Sequence, residues 1–152
     1  MNELEIKTRI QIAKPAAIVY QAIVDPAQMT NYFISESSGK MEANKELNWK
    51  FPEFDTNVPV KVDKLEENKY ISYYWEDAGE QMLVEMKLEE TEEGNATVLT
   101  ITEKSKDNNE DGLRWLKSNT EGWANFSACL KAWLESGVNL RTGAFDFMKE
   151  NK

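Results

Sequence analysis

The sequence predicts an α+β fold in which an antiparallel sheet of about seven strands curves around one long C-terminal helix. Three observations lead there. Leu4, Ile6, Thr8, Ile10 and Ile12 alternate with Glu3, Glu5, Lys7, Arg9 and Gln11, the period of a strand with one buried face. The same alternation recurs in short segments across 47–102, separated by turn residues, as in a meander. From Leu113 to Ser136 the period changes to that of a helix, the only element long enough to cover such a sheet.

Taken in order, the opening strand is followed by Pro15, which fixes φ at a helix start, and by Ala16 to Ile23. Ile18, Val19, Ala22 and Ile23 share one face at helical spacing, and Asp25-Pro26 ends the segment. A second short helix is expected over Met29 to Phe33. Leu47, Trp49 and Phe51 mark a strand that stops at Pro52, and Val58, Val60 and Val62 mark the next. Glu67-Asn68 turns into Tyr70 to Trp75, and Ala78-Gly79 into Met82 to Leu88. Glu93-Gly94-Asn95 leads to Thr97 to Thr102, and a polar loop is expected over Lys104 to Gly112.

In the long helix Leu116, Thr120, Trp123, Ser127, Leu130 and Leu134 form the core-facing stripe, flanked by Phe126 and Trp133. Gly137 is placed to end it, and Gly122 inside it marks a close approach to the sheet or a kink. Val138 to Phe147 carries Leu140, Phe145 and Phe147 and is expected to dock. The whole chain, 1–152, reads as one domain with a frayed tail at 148–152.

Composition removes several classes of function. Eighteen Lys and Arg against 27 Asp and Glu give a net charge of −9, which repels phosphate backbones and anionic lipid surfaces, so no nucleic-acid partner is expected. There is no His, which excludes His-based triads and His metal sites. The single cysteine, Cys129, forbids an internal disulfide and has only Lys131 as a basic neighbour, so it reads as a small buried residue. No run approaches the length needed to span a bilayer and no secretory leader is visible; the expectation is a cytoplasmic protein without membrane insertion.

Two charged motifs carry bland readings. Asp107-Asn108-Asn109-Glu110-Asp111-Gly112 imitates the start of a calcium loop, but Ser118 stands where the bidentate Glu belongs, and a helix cap explains the run. Glu89, Glu90, Glu92 and Glu93 sit beside an exposed turn, where nothing separates their acidities for acid–base work. Neither a metal nor another cofactor is expected.

Pro15 to Ala22, Leu47-Asn48-Trp49, Tyr70 to Trp75, Gly122-Trp123-Ala124-Asn125-Phe126 with Leu130, and Asn139 to Asp146 form a recognisable set in this order of elements. The order of elements resembles the START-like, or helix-grip, superfamily, and with these residues the chain resembles in detail the activator of heat-shock protein 90 ATPase homologue family of small bacterial proteins. It implies a hydrophobic ligand between sheet and helix, or a stress-related co-chaperone or protein-interaction role with a chaperone as partner. Some distant relatives of the fold are cyclase- or hydrolase-like enzymes.

The residues themselves point to an apolar ligand of lipid or polyketide-like size, held without catalysis. Trp49, Phe51, Tyr73, Trp75 and Met86 from the sheet can converge on Trp123, Phe126 and Leu130, with Tyr73 and Ser127 as polar groups. The same residues in the same pattern also make an ordinary core, so cavity and filled interior both stay open. Entry is expected near Pro52 to Pro59, where Phe54 sits in an irregular loop, and a neutral or weakly polar ligand is expected because no inward Lys or Arg is evident.

Overall fold

The computed structural model describes residues 2–149. Strand β1 (Glu3–Ile12) is followed by helices α1 (Ala16–Val24) and α2 (Pro26–Met29). Strands β2 (Glu36–Ser37), β3 (Glu46–Lys50), β4 (Val58–Glu66), β5 (Tyr70–Asp77), β6 (Glu80–Glu90) and β7 (Thr97–Asp107) precede helix α3 (Glu110–Ser136) and a 3-10 turn at Asp146–Lys149. The seven strands form one antiparallel sheet in the order β1-β7-β6-β5-β4-β3-β2. The first strand thus forms one edge, paired with the last, and α3 lies across the inner face of the sheet.

Local chemistry sets the joints. Asp77 and Glu80 pair across a two-residue hairpin in which Ala78 and Gly79 both have positive φ, the geometry that matches strand twist. The Asn109 side chain accepts from the Gly112 N–H at 2.8 Å and caps α3, whose first turn carries Glu110 and Asp111. The Asp107–Gly112 run is therefore the strand-to-helix joint. Gly137, at φ 64°, ends the helix.

Several boundaries differ from expectation. The second short helix begins at Pro26, not Met29, because the Asp25 side chain accepts from the Ala27 N–H and starts it. Ile18 is largely exposed and Tyr20 is buried in its place, a small rotation of α1. The expected polar loop after Lys104 is mostly strand and helix, since β7 continues to Asp107. Two charged side chains there point inward. Glu103 is fully buried, and Lys106 pairs with Asp77 at 2.7 Å. Along α3 the buried face runs through Gly112, Trp115, Trp123, Phe126, Ser127, Cys129 and Leu130, with Leu116, Thr120, Trp133 and Leu134 only half-buried. Of the tail expected to fray, Met148 and Lys149 belong to the 3-10 turn, and 150–152 lie outside the described residues.

The core joins both layers. Met82, Val84, Met86 and Leu88 of β6 and Leu99 and Ile101 of β7 line the inner face, where Trp49, Tyr73, Trp123 and Leu130 meet them. Burying these side chains supplies most of the driving force. Gly112 is the tightest point: a Cβ there would stand 2.0 Å from the Asp107 carbonyl oxygen.

Two stability outcomes are expected. Trp123→Ala should cost about 3–5 kcal/mol as a large-to-small core change. Gly112→Ala should cost about 1–3 kcal/mol through overpacking against backbone. Urea unfolding measures both, and a loss below about 0.5 kcal/mol at either position contradicts the packing described.

Candidate functional site

The inner space between sheet and helix is occupied by rings. Trp49 meets Tyr73 edge-on at 5.3 Å, Tyr73 meets Trp75 at 5.4 Å, Trp75 stacks on Trp123 at 5.6 Å, and Trp123 meets Phe126 at 5.2 Å. The Glu103 carboxylate organises this group. It accepts from Trp75 Nε1 at 3.0 Å, Trp123 Nε1 at 2.8 Å and Asn119 Nδ2 at 3.1 Å. A buried carboxylate so held locks two indoles and one turn of α3 in place.

A cavity of about 370 Å³, partly open to solvent, lies beside this core. Its walls come from four places. Tyr32 and Phe33 follow α2; Phe51, Glu53 and Phe54 form the turn after β3; Ser118, Glu121, Gly122, Asn125, Phe126 and Cys129 come from α3; Arg141, Phe145, Phe147 and Met148 come from the segment after it. At 100° per residue the Ser118, Gly122, Asn125 and Cys129 stripe lies about a third of a turn round the helix from Trp123. The cavity therefore flanks the helix. Gly122 keeps it open, since a Cβ there meets nothing within 4 Å, so a close approach to the sheet does not explain it, and the α3 assignment runs through this residue without a break.

Of the residues singled out from the sequence, Phe51, Phe54 and Phe126 line this cavity, and Phe54 is 51% exposed at its rim, within the expected entry region. Trp49, Tyr73, Met86, Trp123, Ser127 and Leu130 are buried in the adjoining core, with Trp75 half-buried beside them. Tyr32, Phe33 and Cys129 were not legible as wall residues. Phe33 joins the two regions, touching Phe126 at 4.7 Å, Phe51 at 5.3 Å and Trp49 at 5.5 Å.

One expectation about charge is corrected. A cation does reach the wall: Arg141 donates two hydrogen bonds to Glu53, at 2.7 and 2.8 Å, and lies 4.7 Å from the Phe145 ring centre. The pair fastens the segment after α3 to the turn after β3. These hydrogen bonds hold the Glu53 carboxyl below the usual carboxylate range, against the opposing effect of its burial. Burial pushes the Cys129 thiol up, against a smaller opposite pull from Arg141, so the sulfur stays protonated near neutrality. Among the described residues no three His, Cys, Asp or Glu side chains converge as a metal site, and no helix is long and apolar enough to cross a membrane.

Comparison with known proteins supplies the family. Among solved structures, protein SSP2350 from Staphylococcus saprophyticus is 31% identical over 91% of this chain and 96% of its own, with a TM-score of 0.79. The Aha1 dimer from Colwellia psychrerythraea is 22% identical over 88% and 98%, with a TM-score of 0.76. DynU16, a protein in the dynemicin biosynthetic locus, is 21% identical over 90% of this chain and 49% of its own, with a TM-score of 0.79. The last two show the shared fold. No curated protein matches. The model of the family described as Activator of Hsp90 ATPase homolog 1-like protein matches residues 13–135, and with the helix-grip architecture seen here the chain belongs to that family.

Proposed function

We propose that this protein binds a small, uncharged, largely apolar molecule in the cavity beside α3 and does no chemistry on it. The observation that carries the reading is the wall itself. Tyr32, Phe33, Phe51, Phe126 and Phe145 present aromatic surface to a space within the volume range of small-molecule sites. The charged wall groups favour an uncharged guest. Glu53 and Arg141 already satisfy each other, and an anionic ligand that took Arg141 would leave the Glu53 carboxylate buried without its partner. The protonated Cys129 offers no ready nucleophile, and the chain has no His to activate it.

A second reading, protein interaction of the co-chaperone kind, draws on the same end of the molecule. Phe54, Phe147 and Met148 line the cavity and are exposed, and exposed apolar residues gathered at one place mark a contact surface. The ligand reading ranks first because a concave aromatic wall fits a small guest better than a flat partner.

Gly122 gives the decisive variant. Gly122→Leu projects a side chain into the cavity from the helix side, its Cβ meeting nothing within 4 Å, and should raise stability by roughly 0.5–1 kcal/mol through helix propensity. The neutral fluorophore N-phenyl-1-naphthylamine should bind the unaltered protein saturably, with affinity falling about tenfold or more, roughly 1.4 kcal/mol, in Gly122→Leu. Absence of saturable binding, or equal binding by the variant, contradicts the proposal.

The Glu53–Arg141 fastening has its own pH signature. Its folded pKa is depressed, so its stabilisation is complete above the unfolded value of about 4.3 and is lost as pH falls through the lower folded value. The unaltered protein should exceed Glu53→Gln in urea resistance at pH 7, and the gap should shrink steadily below about pH 4. A gap independent of pH down to 3 contradicts the role given to this carboxylate.

A further inference from the structure

Three polar atoms of the core around Trp123 have no hydrogen-bond partner among the protein's groups: the Trp49 indole N–H, the Tyr73 hydroxyl and the Ser127 hydroxyl. Each side chain is at least nine-tenths buried. Leaving such groups unpaired opposes folding, and native interiors rarely tolerate it without a guest or a task. Trp49 and Tyr73 are in edge-to-face contact, ring centres 5.3 Å apart, so the two orphaned donors belong to side chains that touch.

Phe33 adjoins both Trp49 and the cavity. Its ring lines the cavity and also packs edge-on against Trp49, with Phe51 and Phe126 on its other sides. A phenyl ring carries no hydrogen bond, so turning it aside sacrifices packing contacts alone. Phe33 also lies in the turn after α2, outside any helix or strand.

We infer that Phe33 is a gate, and that the ligand's leading end passes it to place an uncharged oxygen acceptor, such as a ketone carbonyl, against the Trp49 N–H and the Tyr73 O–H. This rests on the ligand-binding reading above and names the chemistry of that ligand's inner end. The indole nitrogen can only donate, so the group it meets must accept. Burial, then the charge of Glu103 and then Tyr32, push the Tyr73 phenol well above its ordinary pKa, which keeps it a neutral donor. The same Glu103 carboxylate repels a carboxylate or phosphate at this spot. The guest is thus an apolar body carrying one neutral acceptor.

A matched pair of probes tests the inference. 2-Acetylnaphthalene and 2-isopropenylnaphthalene have nearly the same shape and differ in the acceptor oxygen. The unaltered protein should bind the ketone about tenfold more tightly than the hydrocarbon, followed by tryptophan fluorescence. In Tyr73→Phe that preference should fall at least threefold or so, while the unliganded variant unfolds at the same or higher urea concentration because an orphaned hydroxyl has been removed. Phe33→Leu should speed association severalfold with the preference kept. Equal binding of the two probes overturns the acceptor site and leaves the ligand reading standing; a water retained at the donors gives this same result. An association rate unchanged in Phe33→Leu overturns the gate. Failure of both probes to bind overturns the inference together with the reading beneath it.

Discussion

The fold turns on one buried carboxylate. Glu103 projects from β7 on the same inner face as Leu99 and Ile101, is fully buried, and is met by N–H groups from Trp75, Trp123 and Asn119. Removing a carboxylate from water is costly, and three directed donors are what offsets that cost. The geometry has consequences on both layers. On the sheet it fixes the Trp75 ring; on the helix it fixes the rotation of α3, so that Trp123 rather than a neighbour faces inward. The stack of Trp75 on Trp123 follows from both indoles pointing their N–H at one acid.

With those rings set, the space beneath the helix is filled and free volume is displaced to its flank. There Gly122 leaves a gap on α3, and the turn after β3 and the segment after α3 supply the opposite walls. The Arg141–Glu53 pair holds those two walls together, its guanidinium resting against Phe145. A helix held rigidly on one side and bordered by irregular segments on the other is a sound basis for a binding site. The rigid side positions the wall, and the irregular side admits the guest.

Much of this was legible in the sequence and some was not. Alternation located β1, β3, β4 and β6, β-rich runs between turn residues located β5 and β7, and helical spacing with Gly137 located α3 and its end. Alternation failed from Glu103 onward because the inward residues there are charged, so a strand with a buried acid and the paired Lys106 read as a loop. The helix stripe was displaced at its N-terminal end for the same reason: Asn119, a polar residue, serves the buried Glu103, and Trp115 was passed over for Leu116. The two-residue strand β2 is too short to carry a pattern. Aromatic residues announced a special interior. Which of them fill it and which line the cavity depends on ring packing, and spacing along the chain carries no such information.

The most direct test is a crystal structure of the protein grown with saturating N-phenyl-1-naphthylamine. The expected result is density for the probe against Gly122 of α3, bounded by Phe51, Phe126 and Phe145, with the Arg141–Glu53 pair intact. Density confined to the outer face of the sheet, with the space beside Gly122 unfilled, contradicts the account.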